Sequence, residues 1–149
     1  MNPSLALILA TIIAGAMIAA QGIINGRMSA VMGGPLQAAL VSFSIGWLAL
    51  IAVNIALGHR PPPSAEITAA PWWAWMGGLM GAVVVTLAAA AVPRIGVATY
   101  VSAFIAGQLT AAVFYDHYGV LGQQVREATP TRLLGVACLA LGVYLIRRP

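Results

Sequence analysis

Among the polar and aromatic side chains within the apolar stretches of this chain, seven are candidates to line a cavity: Gln21, Asn25, Ser42, Trp47, Tyr100, Phe104 and Gln108. Amides and hydroxyls are costly in hydrocarbon, so they tend to face a bundle interior or a cavity. Gln21 and Asn25 are four apart and share one helix face; Tyr100, Phe104 and Gln108 keep the same spacing as a stripe along another helix. Such groups can hydrogen-bond and stack on an uncharged solute, or they can tie helices together, and the spacing fits both uses. Trp47 falls near the middle of its stretch, too deep for an interfacial belt. Ser42 and Ser44 can each satisfy themselves on a carbonyl one turn back.

Ionisable chemistry is confined to the ends of these stretches. Asp116 and His117 form a candidate titrating pair where one helix is expected to stop. A helix C-terminus favours a charged histidine and disfavours an aspartate, so the two are expected to neutralise one another. No Asp, Glu, Lys, Arg or His lies in the interior of an expected span, Arg132 and Arg147 falling at the two ends of the last, so nothing at mid-depth can trade a proton for a cation. The chain has no CxxC, no HExxH, no nucleotide-binding glycine loop and no Ser/His/Asp set, and an enzyme is not expected. The two histidines, His59 and His117, lie in separate loops, and neither a metal nor a cofactor is expected. The lone Cys138 sits mid-span and reads as a small packing residue.

The elements that position these groups follow from composition. At 61% hydrophobic and 7% charged, the chain lies far from soluble averages of about 45–50% and 25%. A hydrocarbon core of about 30 Å needs about 20 apolar residues at 1.5 Å each. Five stretches supply them, at about 4–25, 35–57, 72–92, 95–115 and 131–147. The expected fold is an all-α integral membrane protein, a single transmembrane domain over 1–149. Gly33-Gly34-Pro35 separates the first two spans, and Pro93-Arg94 makes a tight hairpin of the third and fourth. The linker from Gly58 to Pro71 holds Pro61-Pro62-Pro63 and is expected to form an extended strap. Trp72, Trp73 and Trp75 mark an interface, and Tyr144 with Arg147-Arg148 anchors the far end of the last span. Met1-Asn2-Pro3-Ser4 carries no positive charge and precedes a long apolar run, so a cleaved signal peptide is not expected. Small residues recur at helix-contact spacing, as in Gly22 and Gly26, Gly77 and Gly81, Ala103, Gly107 and Ala111, and Gly135 and Gly142.

All seven basic residues are arginine. An odd number of spans puts Arg60, Arg126 and Arg132 on the N-terminal side, side A, and Arg27, Arg94, Arg147 and Arg148 on side B. Orientation follows an excess of Lys/Arg in cytoplasmic loops, and three against four is almost none. The chain is therefore expected to insert both ways up. The net charge of +4 is spread over segment ends as headgroup contacts. With no basic face for a run of phosphates, nucleic-acid binding is not expected.

The runs Gln21-Gly22-Ile23-Ile24-Asn25-Gly26 and Pro35-Leu36-Gln37-Ala38-Ala39-Leu40-Val41-Ser42-Phe43 with Gly46 resemble the YdcZ family of the drug/metabolite transporter superfamily. So do Pro71-Trp72-Trp73-Ala74-Trp75-Met76-Gly77-Gly78 with Gly81, Pro93-Arg94-Ile95-Gly96, and Gly107-Gln108. Asp116-His117-Tyr118-Gly119 and Arg132 with Gly135 and Gly142 complete the likeness. The resemblance implies half of a ten-helix transporter in a bacterial cytoplasmic (inner) membrane. A single dual-topology chain of this kind would pair with itself as an antiparallel homodimer with inverted repeats. Small multidrug resistance proteins are four-helix relatives with a carboxylate in the first helix; this chain lacks one, and their proton-coupled cation chemistry does not carry over.

Together these readings describe a secondary transporter or facilitator of a small neutral or amphipathic metabolite, its partners being a second copy, membrane lipid and the solute. Depth refines the expectation. Gln21 lies about 6 Å from its side B end and Gln108 about 10 Å from its side A end. In an inverted dimer Gln21 and Asn25 of one protomer then approach Gln108 of its partner. The alternative is a non-transporting membrane subunit that scaffolds or stabilises another protein.

Overall fold

The computed structural model describes the chain from Pro3 to Arg148, with the side chains of Pro3, Ser4, Ala6 and Ala65 excepted. Met1 and Asn2, within the segment read above against a signal peptide, lie outside the described residues, as does Pro149. The described residues form helices and connections without strands: α1 (Pro3–Met32), α2 (Pro35–Ala56), α3 (Ser64–Ala69), α4 (Met76–Ile95), α5 (Val97–Tyr118) and α6 (Pro130–Arg147). A 3-10 turn over Trp72–Trp75 leads into α4, and a second one follows α5 at Val120–Gly122. Among the described residues five helices are long and apolar enough to cross a membrane: α1, α2, α4 with its leading turn, α5 and α6.

Several boundaries differ from the sequence expectation, each for a local reason. α1 was expected to stop near residue 25 but runs to Met32, about 45 Å at 1.5 Å per residue. Gly26 and Arg27 do not break it, because nothing there removes a backbone donor or demands a left-handed angle. It stops at Gly33 and Gly34, both at positive φ, and Pro35 opens α2 at a position where its missing N–H costs nothing. α4 likewise continues through Pro93 and Arg94. Pro93 offers no N–H to the Ala89 carbonyl one turn back, and the Arg94 guanidinium donates to the neighbouring Ala90 carbonyl at 2.7 Å. The break falls at Gly96, φ 81°, an angle that an L side chain resists. α5 therefore starts at Val97 and carries Asp116 and His117 inside its last turn. The strap is extended only over its prolines; Ser64–Ala69 coils into the short helix α3, with Glu66 in its first turn.

The chain divides into two compact units, Met1–Arg94 and Ile95–Pro149. In the first, small residues let helices approach. A Cβ on Gly22 would come within 3.0 Å of Val92 Cγ2, and one on Gly26 within 2.9 Å of Pro93 Cγ. α1 and α4 thus meet along the Gly22/Gly26 face. Gly81 of α4 receives the ring of Phe43 from α2, which would lie 3.2 Å from a Cβ there. Ala38, Ala39, Ala88, Ala89 and Val92 are buried. Lipid tails compete equally for apolar side chains, so this close packing is what holds such helices together.

In the second unit α5 packs along α6, and the connection between them is pinned at its α5 end. Gly119 caps α5 in the left-handed region. The Arg126 N–H then donates to the Asp116 carbonyl at 2.8 Å, and Ala128 N–H donates to His117 Nδ1 at 3.3 Å. Thr129 caps α6 by accepting from the Arg132 N–H, with Pro130 in the first turn. At the other end of α6, Arg148 lies 4.4 Å from the Tyr144 ring centre and donates to its hydroxyl.

Candidate functional site

Along α1, positions 14, 17, 18, 21, 24, 25 and 28 recur every three or four residues and therefore form one continuous face. This face and α2 border an open groove of about 620 Å³. Met17, Ile18 and Ile45 supply apolar wall, and Gln21, Asn25 and Ser42 supply its polar groups. No ionisable side chain lines it. Three of the residues singled out by sequence are thus brought together within the first unit. Gly22 and Gly26 adjoin this face and pack against α4; Asn25 shares their buried stripe, while Gln21 is exposed at its edge.

The three polar groups differ in how they are satisfied. Ser44 Oγ donates to the Leu40 carbonyl at 2.9 Å, as expected of a membrane-helix serine. Ser42, half-buried, makes no such bond among the described residues, and the exposed Gln21 amide makes none either. Asn25 is the one buried polar side chain among the described residues, 2% exposed, and its Nδ2 has no hydrogen-bond partner. An unmet buried donor costs about 1–3 kcal/mol, and most buried polar groups avoid that cost by pairing.

The other sequence candidates lie elsewhere. Trp47 is 63% exposed and borders a second groove of about 500 Å³ with Asn54, His59, Arg60 and Pro61. There Asn54 is already engaged, donating to the Leu50 carbonyl at 2.8 Å and meeting His59 Nδ1 at 3.1 Å. In the second unit Tyr100 and Phe104 stack with ring centres 5.8 Å apart and planes 13° from parallel. Gln108, further along the helix, is exposed and makes no hydrogen bond among the described residues. Gly107, Ala111 and Phe114 of α5 border a third groove with Val136 and Ala140 of α6.

Asp116 does not pair with His117. Its carboxylate takes a hydrogen bond from the Arg132 guanidinium at 2.7 Å, with each side chain about one-third exposed (33% and 34%). His117 instead accepts from a backbone N–H through Nδ1, a role open only to a neutral ring nitrogen. Neighbours in sequence point away from each other on a helix, whereas Arg132 faces Asp116 once the linker folds back. The Thr129-Pro130 cap signal was available to place Arg132 in the first turn of α6; the sixteen-residue reach to Asp116 was not. No three His, Cys, Asp or Glu side chains converge among the described residues.

Residues 6–145 match the family described as "Putative inner membrane exporter, YdcZ". No curated protein and no solved structure matches the chain.

Proposed function

The chain belongs to the YdcZ family and carries five helices able to cross a membrane, and from these premises we propose that it is a secondary transporter or facilitator in the bacterial inner membrane. The single observation that carries the reading is the uncharged groove holding Gln21, Asn25 and Ser42. Its solute is a small neutral or amphipathic metabolite, because an ion would enter an apolar wall without a counter-charge. The family description points to export as the direction.

Assembly as an antiparallel homodimer follows from the odd span number and the weak orientation signal. Inverted-repeat transporters bind solute near mid-membrane between the repeats and rock one half against the other. Two inverted copies of one chain supply such repeats, and their interface is isologous. All three acids, Glu66, Asp116 and Glu127, fall on side A, but acids contribute little to orientation. The observed helix ends sharpen the depth argument. Gln21 lies eleven residues before the end of α1 and Gln108 ten before the end of α5, roughly 17 and 15 Å. Inversion brings these two amides level, Gln21 of one protomer beside Gln108 of its partner, and leaves Asn25 one turn away to meet solute.

Flux in proteoliposomes tests the transport reading. Reconstituted protein is expected to equilibrate uncharged metabolites faster than protein-free vesicles, and Gln21→Leu is expected to slow that flux several-fold. A broad screen of neutral solutes without protein-dependent flux contradicts it.

A further inference from the structure

Asn25 is set apart from the other polar groups described along these helices by being both buried and unpaired. The hydroxyls of Thr11, Ser44, Thr86 and Thr110 each donate to a carbonyl one turn back, at 2.7 to 2.9 Å, and the Asn54 amide does the same at 2.8 Å. These groups are discharged within their own helix. Asn25 lies in the last third of α1, is 2% exposed, and leaves Nδ2 without a partner. It borders a groove of about 620 Å³ whose wall is otherwise aliphatic and thioether carbon apart from Gln21 and Ser42. A buried donor at the border of a largely apolar groove has its requirement met by an acceptor that enters that groove once the amide turns toward it.

Resting on the transport reading above, we infer that the Asn25 amide selects solutes by donating one hydrogen bond to an uncharged acceptor oxygen, a carbonyl or ether, on an otherwise apolar molecule. Three features set the class. No cation or anion lines the groove, so a charged solute would be desolvated without compensation. Met17, Ile18 and Ile45 present a wall that suits a hydrocarbon or aromatic body, the methionine adapting to its outline. The donor in deficit is an N–H, so an acceptor on the solute relieves it, whereas a hydrocarbon of equal size leaves it unmet. Sites built around a hydrogen bond discriminate far more sharply against the analogue that lacks it than purely apolar pockets discriminate on size. Rotation about χ2, a broad torsion in asparagine, turns the covered Nδ2 toward solute and Oδ1 inward. Ser42, half-buried and without a hydrogen bond of its own, adds a hydroxyl that can turn either way.

The test uses the full-length protein in nanodiscs and a pair of matched probes followed by 19F NMR: 4-fluoroacetophenone, which carries an acceptor, and 4-ethylfluorobenzene, which does not. Empty nanodiscs supply the lipid partition of each, so that affinities refer to probe in the bilayer. The ketone is expected to bind wild-type protein roughly tenfold more tightly than the hydrocarbon. Asn25→Leu is expected to bring the ratio to within about twofold while leaving hydrocarbon binding in place. Equal binding of both probes by the wild type overturns the inference and leaves the transport reading standing. So does a ratio unchanged in Asn25→Leu. If neither probe binds the wild type, the groove is not a solute site and both readings fall. The wild-type comparison decides the matter even if the Asn25→Leu protein does not fold.

Discussion

The Arg132 guanidinium donates to Asp116 Oδ2 at 2.7 Å, joining the first turn of α6 to the last turn of α5. The same arginine reaches the Arg126 carbonyl at 3.4 Å, while the Arg126 N–H returns to the Asp116 carbonyl. One ion pair therefore closes a ring of backbone contacts that holds the α5–α6 connection.

Both partners are about one-third exposed, so solvent and headgroups screen the pair and its worth is about 0.5–1 kcal/mol. Asp116→Arg and Arg132→Asp are each expected to lower stability by at least that amount, and the two combined to recover part of the loss. Thermal melting of the four proteins of the cycle in detergent measures the coupling. His117→Ala should fall outside that coupling, since His117 does not contact the carboxylate.

The α1–α4 seam makes a sharper prediction. Gly26→Ala forces a methyl to within 2.9 Å of Pro93 Cγ and 3.3 Å of its Cδ, atoms of a ring that cannot swing aside. A loss of about 1–3 kcal/mol is expected. Gly15, on the same helix, has nothing within 4 Å of an added Cβ; there alanine should be neutral or stabilising by up to about 1 kcal/mol. The melting temperature should fall in Gly26→Ala and hold or rise in Gly15→Ala, and equal losses would contradict the seam.

Ser42 and Ser44 lie two residues apart on α2, and only one borders the groove. Ser44→Ala removes a bond that the helix keeps to itself and is expected to leave flux unchanged. Ser42→Ala takes a free hydroxyl from the groove wall and is expected to raise KM by about three- to tenfold, as for one modest hydrogen bond. Concentration dependence of flux in proteoliposomes separates the two.

Hydropathy and span length made the helical membrane architecture legible in the sequence. The Gly22/Gly26 spacing correctly marked a helix-packing face, and the four-residue spacing of Gln21 and Asn25 correctly placed both on one side. Less legible were the ends. Arg27 and Pro93 look like stops, yet helical backbone tolerates both, and the true breaks came at glycines with positive φ. Long-range partners were not legible at all. The bond from Arg132 to Asp116 depends on how an eleven-residue connection folds back, and Trp47 was drawn from the Ser42 groove to another by the side of α2 on which it falls. The unmet Nδ2 of Asn25 has no sequence signal, because it depends on what its neighbours leave uncovered.

A transporter built from one chain inserted both ways up presents its C-terminus on both sides of the membrane. Replacing Cys138 by Ala, placing a single cysteine at Arg148, and labelling intact cells with a membrane-impermeant maleimide counts the two orientations directly. An orientation signal of three arginines against four predicts that about half of the chains are labelled from outside, the remainder reacting only after the membrane is opened. Labelling of all chains, or of none, from outside would contradict the antiparallel dimer.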